Sequence, residues 1–160
     1  MRLTAGEGRQ LDVIVGISPF AMGGGRYTVD PELVPARLDL SRTTGNGYAL
    51  RLRFEASIVG PCMRCLEPAA PTFQVDAREI SQPGQGEELE SPYVEKEVLD
   101  VAAWARDALA LSLPEKILCR VDCAGLCAAC GADLNEAGPE HGHEREPDPR
   151  WSKLSELRFD

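Results

Sequence analysis

The chain of 160 residues contains only two histidines, and it lacks the common signatures of catalysis. Histidine is the most frequent general base of enzymes, so its scarcity leaves few candidates for acid–base chemistry. No glycine-rich phosphate loop precedes a lysine, and no G-x-S-x-G elbow is present. No apolar run approaches the length of a membrane span, and the N-terminus lacks a signal-peptide pattern. We therefore predict a cytoplasmic protein that is not an enzyme, binds no small-molecule substrate and does not contact a membrane.

Positive charge is also scarce, because 17 Lys and Arg face 26 Asp and Glu, for a formal net charge of −9. Such a balance argues against a protein that coats nucleic acid non-specifically, since backbone binding requires Lys and Arg to neutralise phosphates. The charge is nevertheless uneven. Residues 36–65 carry five arginines against two acidic residues, whereas residues 79–100 carry seven acidic residues against one lysine. The molecule is therefore expected to have either a basic and an acidic face or two ordinary solvated surfaces.

Alternating apolar and polar side chains run along residues 47–60, GYALRLRFEASIVG. A period of two predicts a strand with one buried face and one solvated face. The segment TFQVDAREI, residues 72–80, has the same pattern, and the proline-containing segment between them is typical of a turn. These features predict a β-hairpin with Cys62 and Cys65 at its tip. Further strand-like segments are residues 11–18 and 33–41, with glycine-containing turns at 23–25 and 45–47.

Arginines on the solvated face of this predicted sheet are candidates for contact with RNA. Arg51 and Arg53 share that face, and Arg64 lies in the turn of the hairpin. Arginine rows on strands can hold RNA phosphates, although they also serve simply to keep a sheet hydrated. We predict these three arginines as an RNA-binding or partner-binding strip.

A helix is predicted over residues 100–113. Asp100 can cap its N-terminus, and Pro114 ends it because the residue before a proline avoids helical geometry. Apolar residues recur at helical spacing, with Trp104 as the largest, so this helix should cover the apolar face of the sheet. The predicted fold class is α+β: an antiparallel sheet or partly open barrel covered by one main helix, with a short Cys-rich, zinc-binding C-terminal segment.

The predicted domains follow from this division. Residues 1–115 form a β-rich domain that includes the covering helix, and residues 116–160 form a Cys/His-rich metal-binding segment and tail. Within that tail, WSKLSELRF could add a last helical turn through Trp151 and Leu154 or remain without structure. A mobile acidic loop is expected at residues 87–97.

Four cysteines lie within LCRVDCAGLCAACG, residues 118–131, in the spacing C-x3-C-x3-C-x2-C. In a reducing compartment, clustered cysteines indicate metal binding before disulfides. Small residues within the C-x2-C pair let both sulfurs face one point, and zinc takes four N or S ligands in a tetrahedron. A site with all four positions filled by protein is structural, so we predict a structural zinc ion. The candidate ligands are Cys119, Cys123, Cys127, Cys130, His141 and His143.

Six candidates exceed the four that one zinc ion needs. Cys127 and Cys130 form one half of the site, and the other half comes from the two preceding cysteines, from the two histidines, or from one of each. Cys62 and Cys65 are a further possible second half. The local set of four cysteines is favoured, because closing a short loop costs less entropy than bringing the distant hairpin to the site.

The C-x-R-C turn, the helix that closes on LSLPEKILC, the block DCAGLCAACGADLN and a late DPRW together resemble the YceD family of bacterial proteins, large ribosomal RNA subunit accumulation proteins. The resemblance covers residues 45–155. Family members commonly have a C-x-C pair where His141 and His143 stand here, which implies that these histidines can reach the metal. Some members lack the cysteine block, which implies that the metal is a local brace.

The resemblance implies a non-enzymatic role in ribosome biogenesis, in which the protein supports the accumulation or processing of large-subunit ribosomal RNA. The expected partner is ribosomal RNA, a precursor of the large subunit or a basic ribosomal protein. One alternative is a zinc-stabilised adaptor that touches no RNA. A second is a dithiol redox protein that uses Cys62 and Cys65, which is disfavoured because redox pairs sit at helix N-termini and this pair sits in a hairpin turn.

Overall fold

The computed structural model describes residues 3–44, 47–84, 86 and 89–143. These residues fall into two compact units, one ending at Cys123 and the other beginning at Ala124. The tail with Trp151 and Leu154, for which a helical turn and an unstructured segment were both left open, lies outside the described residues, as do Glu87 and Glu88 of the predicted acidic loop.

The first unit is built on an antiparallel sheet of seven strands. The strands are β1 (Gly8–Gly16), β2 (Phe20–Met22), β3 (Gly25–Asp30), β4 (Leu33–Arg42), β5 (Tyr48–Pro61), β6 (Pro68–Ala69) and β7 (Thr72–Ser81). The central strand, β5, is long enough to pair with β7 on one edge and with β4 and then β3 on the other. A separate short hairpin follows, with β8 (Val94–Glu95) and β9 (Val98–Leu99).

The alternation along β5 is confirmed, because its apolar side chains are buried while the side chains between them are half-buried or exposed. Leu52 and Ile58 have no exposed surface, whereas Arg51 and Arg53 lie on the solvated face. The residues of β7 pair with β5 from Tyr48↔Ser81 to Ser57↔Thr72, so the predicted hairpin is also present.

The predicted covering helix is α1 (Val101–Ser112). The Asp100 side chain accepts a hydrogen bond from the backbone N–H of Ala103 at 2.9 Å, which satisfies one of the unpaired donors of the first turn. Trp104 and Leu109 point into the core. The helix contacts β7 and β1, which lie at opposite ends of the order β1–β4–β5–β7, so it covers the side on which the sheet does not close. The α+β class is thereby confirmed.

The hairpin of β2 and β3 was not predicted as strands. Its turn consists of Gly23 and Gly24, with φ of 55° and 79°. Two successive residues with positive φ are what a two-residue turn requires when its twist is to match the flanking strands. The glycine run was therefore correctly interpreted as a turn, but the short strands on either side of it carry little alternation of their own.

Candidate metal centres

Four cysteines of the first unit meet at the tip of the hairpin formed by β5 and β7. They are Cys62, Cys65, Cys119 and Cys123, here called the four-thiolate cluster. Their sulfur atoms all lie within 4.8 Å of one another, with 3.8 Å between Cys62 and Cys123 and 3.6 Å between Cys65 and Cys119. Only Cys119 is exposed. None of the six cysteines, all of which are described, forms a disulfide.

The chain reaches this cluster a second time because it returns to the hairpin tip after α1. The backbone N–H of Met63 donates to the carbonyl of Ile117 at 2.8 Å, and the N–H of Ile117 contacts the Met63 sulfur at 3.4 Å. Ile117 is only 1% exposed. These contacts fix the segment just before Cys119 beside Cys62 and Cys65, so the folded sheet and helix bring the distant thiols together.

Arg64, inside the C-x2-C turn, supports the same cluster in two ways. Its guanidinium donates to the backbone carbonyl of Cys123 at 2.7 Å. Its backbone N–H points to the sulfur of Cys62 at 3.4 Å. Arg64 therefore links the hairpin tip to the segment that carries the fourth thiol.

A second group of four lies in the second unit: Cys127, Cys130, His141 and His143, here called the Cys2His2 cluster. The sulfur of Cys130 lies 3.4 Å from Nε2 of His141 and 3.3 Å from Nε2 of His143. The two Nε2 atoms are 3.1 Å apart. Cys130 and His143 are exposed, and Cys127 and His141 are half-buried.

The second unit has a small framework of local hydrogen bonds. The Asp133 carboxylate caps the four-residue helix α2 (Leu134–Ala137) by accepting from the backbone N–H of Asn135 at 2.8 Å. The Asn135 side chain in turn accepts from the N–H of Ala124 at 2.8 Å. A single antiparallel bridge pairs Leu126 with Asp133. No residue of α2 is buried, so little apolar packing holds residues 124–143 together.

The two C-x2-C turns have the same hydrogen-bonded frame. In each, the residue after the second cysteine donates its backbone N–H to the carbonyl of the first, at 3.0 Å in the first turn and 2.8 Å in the second. The N–H of the first cysteine donates to a carbonyl five residues ahead, at 2.7 Å and 2.8 Å. The residue after the second cysteine has positive φ in both, 66° at Leu66 and 75° at Gly131. Both turns thus aim two sulfurs at one point.

The separations given above fit one tetrahedral ion in each cluster, and the remaining pairs of ligand atoms lie within 4.8 Å of one another. In a tetrahedron the ligands stand about 1.63 times the metal–ligand distance apart, so zinc–sulfur bonds of about 2.3 Å require sulfurs about 3.8 Å apart. Zinc–nitrogen bonds of about 2.0–2.1 Å require nitrogens about 3.3 Å apart, and mixed pairs about 3.5 Å. The observed 3.6–3.8 Å, 3.1 Å and 3.3–3.4 Å lie close to these lengths. Both clusters could therefore hold a metal ion with no position left for water.

Each cluster contains one thiol whose ionised form the backbone stabilises. Burial acts to raise the pKa of Cys62, but N–H groups of Cys65, Arg64 and Cys119 outweigh burial and lower that pKa from 9.0 to about 6. In the second cluster, the N–H groups of Ala129 and Cys130 lower the pKa of Cys127 to about 6.

Crowding has the opposite effect on the remaining thiols of the four-thiolate cluster. Burial and the neighbouring sulfurs raise the pKa of Cys65 to about 12, and burial raises that of Cys119. Several thiolates so close together are unfavourable unless a cation neutralises them, and a metal ion supplies that cation.

The grouping differs from the local four-cysteine set that loop entropy favoured. Cys119 and Cys123 join Cys62 and Cys65, whereas Cys127 and Cys130 join the two histidines. The entropy of closing the long loop does not weigh against this grouping, because the sheet and α1 already hold both ends of that loop close together. The number of ligands was the signal that could have found this arrangement, since six cysteines and two histidines make two complete sets of four.

The predicted arginine strip is largely paired with carboxylates. Nε of Arg51 donates to Asp76 at 2.7 Å, and Nη2 of Arg53 donates to Asp39 at the same distance. The acidic partners come from β7 and β4, the two strands that flank β5. Arg64, the third arginine of the predicted strip, is more than a surface charge. Its guanidinium donates to a backbone carbonyl at the four-thiolate cluster.

The fold and the two clusters together define an α+β protein with two sites that could hold a metal ion, one made of four cysteines and one of two cysteines and two histidines. The chain belongs to the YceD family, whose model is described as "Large ribosomal RNA subunit accumulation protein YceD" and matches residues 50–158. Among the described residues, no helix has the length and apolar character needed to cross a membrane.

Curated relatives come from mycobacteria. Uncharacterized proteins of Mycobacterium tuberculosis and Mycobacterium bovis are 41% identical over 131 residues, which cover 76% of this chain and 62% of each relative. An uncharacterized protein of Mycobacterium leprae is 34% identical over 108 residues, covering 64% of this chain and 49% of the relative. The chain thus spans less than two thirds of the length of these relatives. No solved structure matches the chain significantly.

Proposed function

We propose that this protein is a non-enzymatic cytoplasmic factor for bacterial ribosome biogenesis that supports the accumulation or processing of large-subunit ribosomal RNA. Family membership over residues 50–158 is the observation that carries the proposal. The metal clusters support the non-enzymatic part, because four protein ligands in each cluster leave no open position for a catalytic water. The two histidines of the chain both belong to one cluster, so neither is available as a base elsewhere.

The metal is zinc, and its role is structural. Tetrahedral sites of four sulfurs or of two sulfurs and two nitrogens are typical of zinc or of iron–sulfur centres. Ligand atoms within 4.8 Å of one another leave room for a single ion rather than a multi-iron cluster. The hydrogen-bonded frame of the Cys62–Cys65 turn is the same as that of the second C-x2-C turn, which favours metal binding over a dithiol redox role for this pair.

The partner is a ribonucleoprotein precursor of the large subunit or a ribosomal protein rather than naked RNA. Arg51 and Arg53 already bond to carboxylates, so binding to phosphate must exchange one anion for another. Such a face, with both signs of charge interleaved, suits a partner that itself presents both signs. The exposed Glu90 and Glu95 add an acidic surface that a basic ribosomal protein can contact.

The test is complementation in a bacterial strain that lacks its own YceD-family protein. The wild-type chain should restore the ratio of large- to small-subunit ribosomal RNA, and an unchanged ratio at normal expression would contradict the proposal. Capture of partners from lysate with and without nuclease separates RNA contact from a protein adaptor. A double variant, Arg51→Glu with Arg53→Glu, should weaken capture if the strip is used. A control of equal charge change, Arg26→Glu with Lys116→Glu, should not.

A further inference from the structure

We infer that the chain binds two zinc ions of unequal lability: a retained ion in the four-thiolate cluster and a readily exchanged ion in the Cys2His2 cluster. This inference rests on the zinc role proposed above. It makes Cys62 and Cys65 ligands, and it gives the two sites different tasks.

The four-thiolate site is shielded by burial. Cys62 and Cys123 have no exposed surface, and Cys65 is only 5% exposed. Zinc leaves a protein when its ligands dissociate and a competing ligand reaches the ion. Only Cys119 is exposed at this site, so complete release requires the three buried thiols to become accessible. Opening that site therefore means disturbing the core of the first unit.

The chain connections reinforce this shielding. The thiols come from two segments that are far apart in sequence, and the contacts of Met63 with Ile117 and of Arg64 with Cys123 join those segments beside the metal position. Loss of the ion would break a link between the hairpin tip and the chain after α1. In the folded protein these contacts keep the ligands in place even while one bond is open, so rebinding is faster than escape.

The Cys2His2 site lacks such shielding. Two of its ligands, Cys130 and His143, are exposed. All four ligands lie within residues 127–143, whose only helix has four residues and no buried side chain. Few apolar contacts hold this segment, so local opening costs little free energy and a chelator has direct access. Residues 124–143 are therefore ordered mainly by their metal, and their structure follows the supply of zinc.

The experiment uses the full chain, purified under reducing conditions without chelator. Elemental analysis should give two zinc ions per chain. Native mass spectrometry during treatment with excess EDTA should then show a one-zinc species that accumulates, because the first ion leaves at least about tenfold faster than the second. A single zinc per chain, or loss of both ions together, would overturn the inference. This time course needs no variant and so does not depend on whether a variant folds.

Variants assign the two phases. The double change His141→Ala with His143→Ala should remove the fast ion and leave the slow one, whereas Cys62→Ser with Cys65→Ser should remove the slow one. Glu140→Gln, which alters a neighbouring carboxylate outside the cluster, should leave both. A fast ion that survives the histidine changes contradicts the assignment. The ribosomal RNA ratio is a separate readout: two ions with unequal release but no effect on that ratio would refute the proposed function alone.

Discussion

Arg64 offers a sharp test of whether an arginine in the C-x2-C turn serves the metal or a nucleic acid. Its guanidinium donates to the carbonyl of the buried Cys123, 2.7 Å away. The substitution Arg64→Met keeps a long unbranched side chain and removes both the charge and the donors. We expect this variant to bind zinc less tightly at the four-thiolate cluster.

The magnitude follows from the hydrogen bond that is lost. A hydrogen bond from a charged group contributes about 1.5–3 kcal/mol, and the partial exposure of this one favours the lower end. A loss of about 1.5 kcal/mol corresponds to a roughly tenfold weaker affinity. The charge adds to the effect, since four thiolates around one divalent ion leave a net negative centre that a guanidinium stabilises.

The assay is competition between the protein and a chelator of known zinc affinity, followed at the slowly released ion. Arg64→Lys retains the charge without the planar fork, so it should recover part of the affinity and show how much the geometry contributes. Arg26→Met, a change on β3 away from the cluster, is the matched control and should bind both ions as the wild type does. An unchanged affinity in Arg64→Met would refute the reasoning and return Arg64 to the set of surface charges available for RNA.

Three further outcomes are expected. Gly131→Ala places a side chain at φ of 75° with no atom within 4 Å of the new Cβ, so its cost is conformational and amounts to about 1 kcal/mol. Chelator competition should then show about fivefold weaker zinc binding at the Cys2His2 cluster. Unchanged binding would contradict this expectation. Gly60→Ala would bring the new Cβ into steric overlap with the ring of the buried Tyr27. Chemical denaturation should then show a loss of about 3 kcal/mol in the free energy of unfolding. A denaturation midpoint equal to that of the wild type would show that the ring moves aside at little cost. The hydrogen bond from Arg51 lowers the pKa of Asp76. The ionised Asp76 therefore stabilises the fold at pH values above the ordinary pKa of an aspartate, and this stabilisation is lost as the pH falls through the lowered pKa. An NMR titration in which Arg51→Gln leaves the pKa of Asp76 unchanged would contradict this assignment.

The elements with strong periodicity could be predicted from the sequence. The alternation along β5 fixed which side chains are buried, and Asp100 and Pro114 marked the limits of α1 closely. These patterns are local, because a strand face or a helix cap depends on residues a few positions apart. The short strands β2 and β3 were missed because three to six residues beside a glycine turn carry too little alternation to be distinguished from a loop.

The division of the candidate metal ligands into two sets could not be predicted by the same means. Which thiols meet depends on contacts between segments that are distant in sequence, such as the hydrogen bond between Met63 and Ile117. The entropy of closing a long loop disfavours a metal site only when metal binding itself must bring the two ends of the loop together. Here the packing of the sheet and the helix has already brought those ends together, because α1 returns the chain to the hairpin tip before Cys119.

The charge of the two clusters with zinc bound affects which partner the protein can bind. Zinc bound by four thiolates carries a net negative charge, and zinc bound by two thiolates and two neutral histidines is neutral. Filling both sites therefore makes the protein more acidic than its formal charge of −9. Zinc bound at these two sites would not supply the positive charge that naked RNA requires. With Arg51 and Arg53 paired to carboxylates as well, RNA affinity that rises steeply as salt is lowered is not expected of this chain alone. A gel-shift series in which binding to bare ribosomal RNA fell steeply with salt would show that these ion pairs open on contact, and would favour RNA over a protein-rich precursor as the partner.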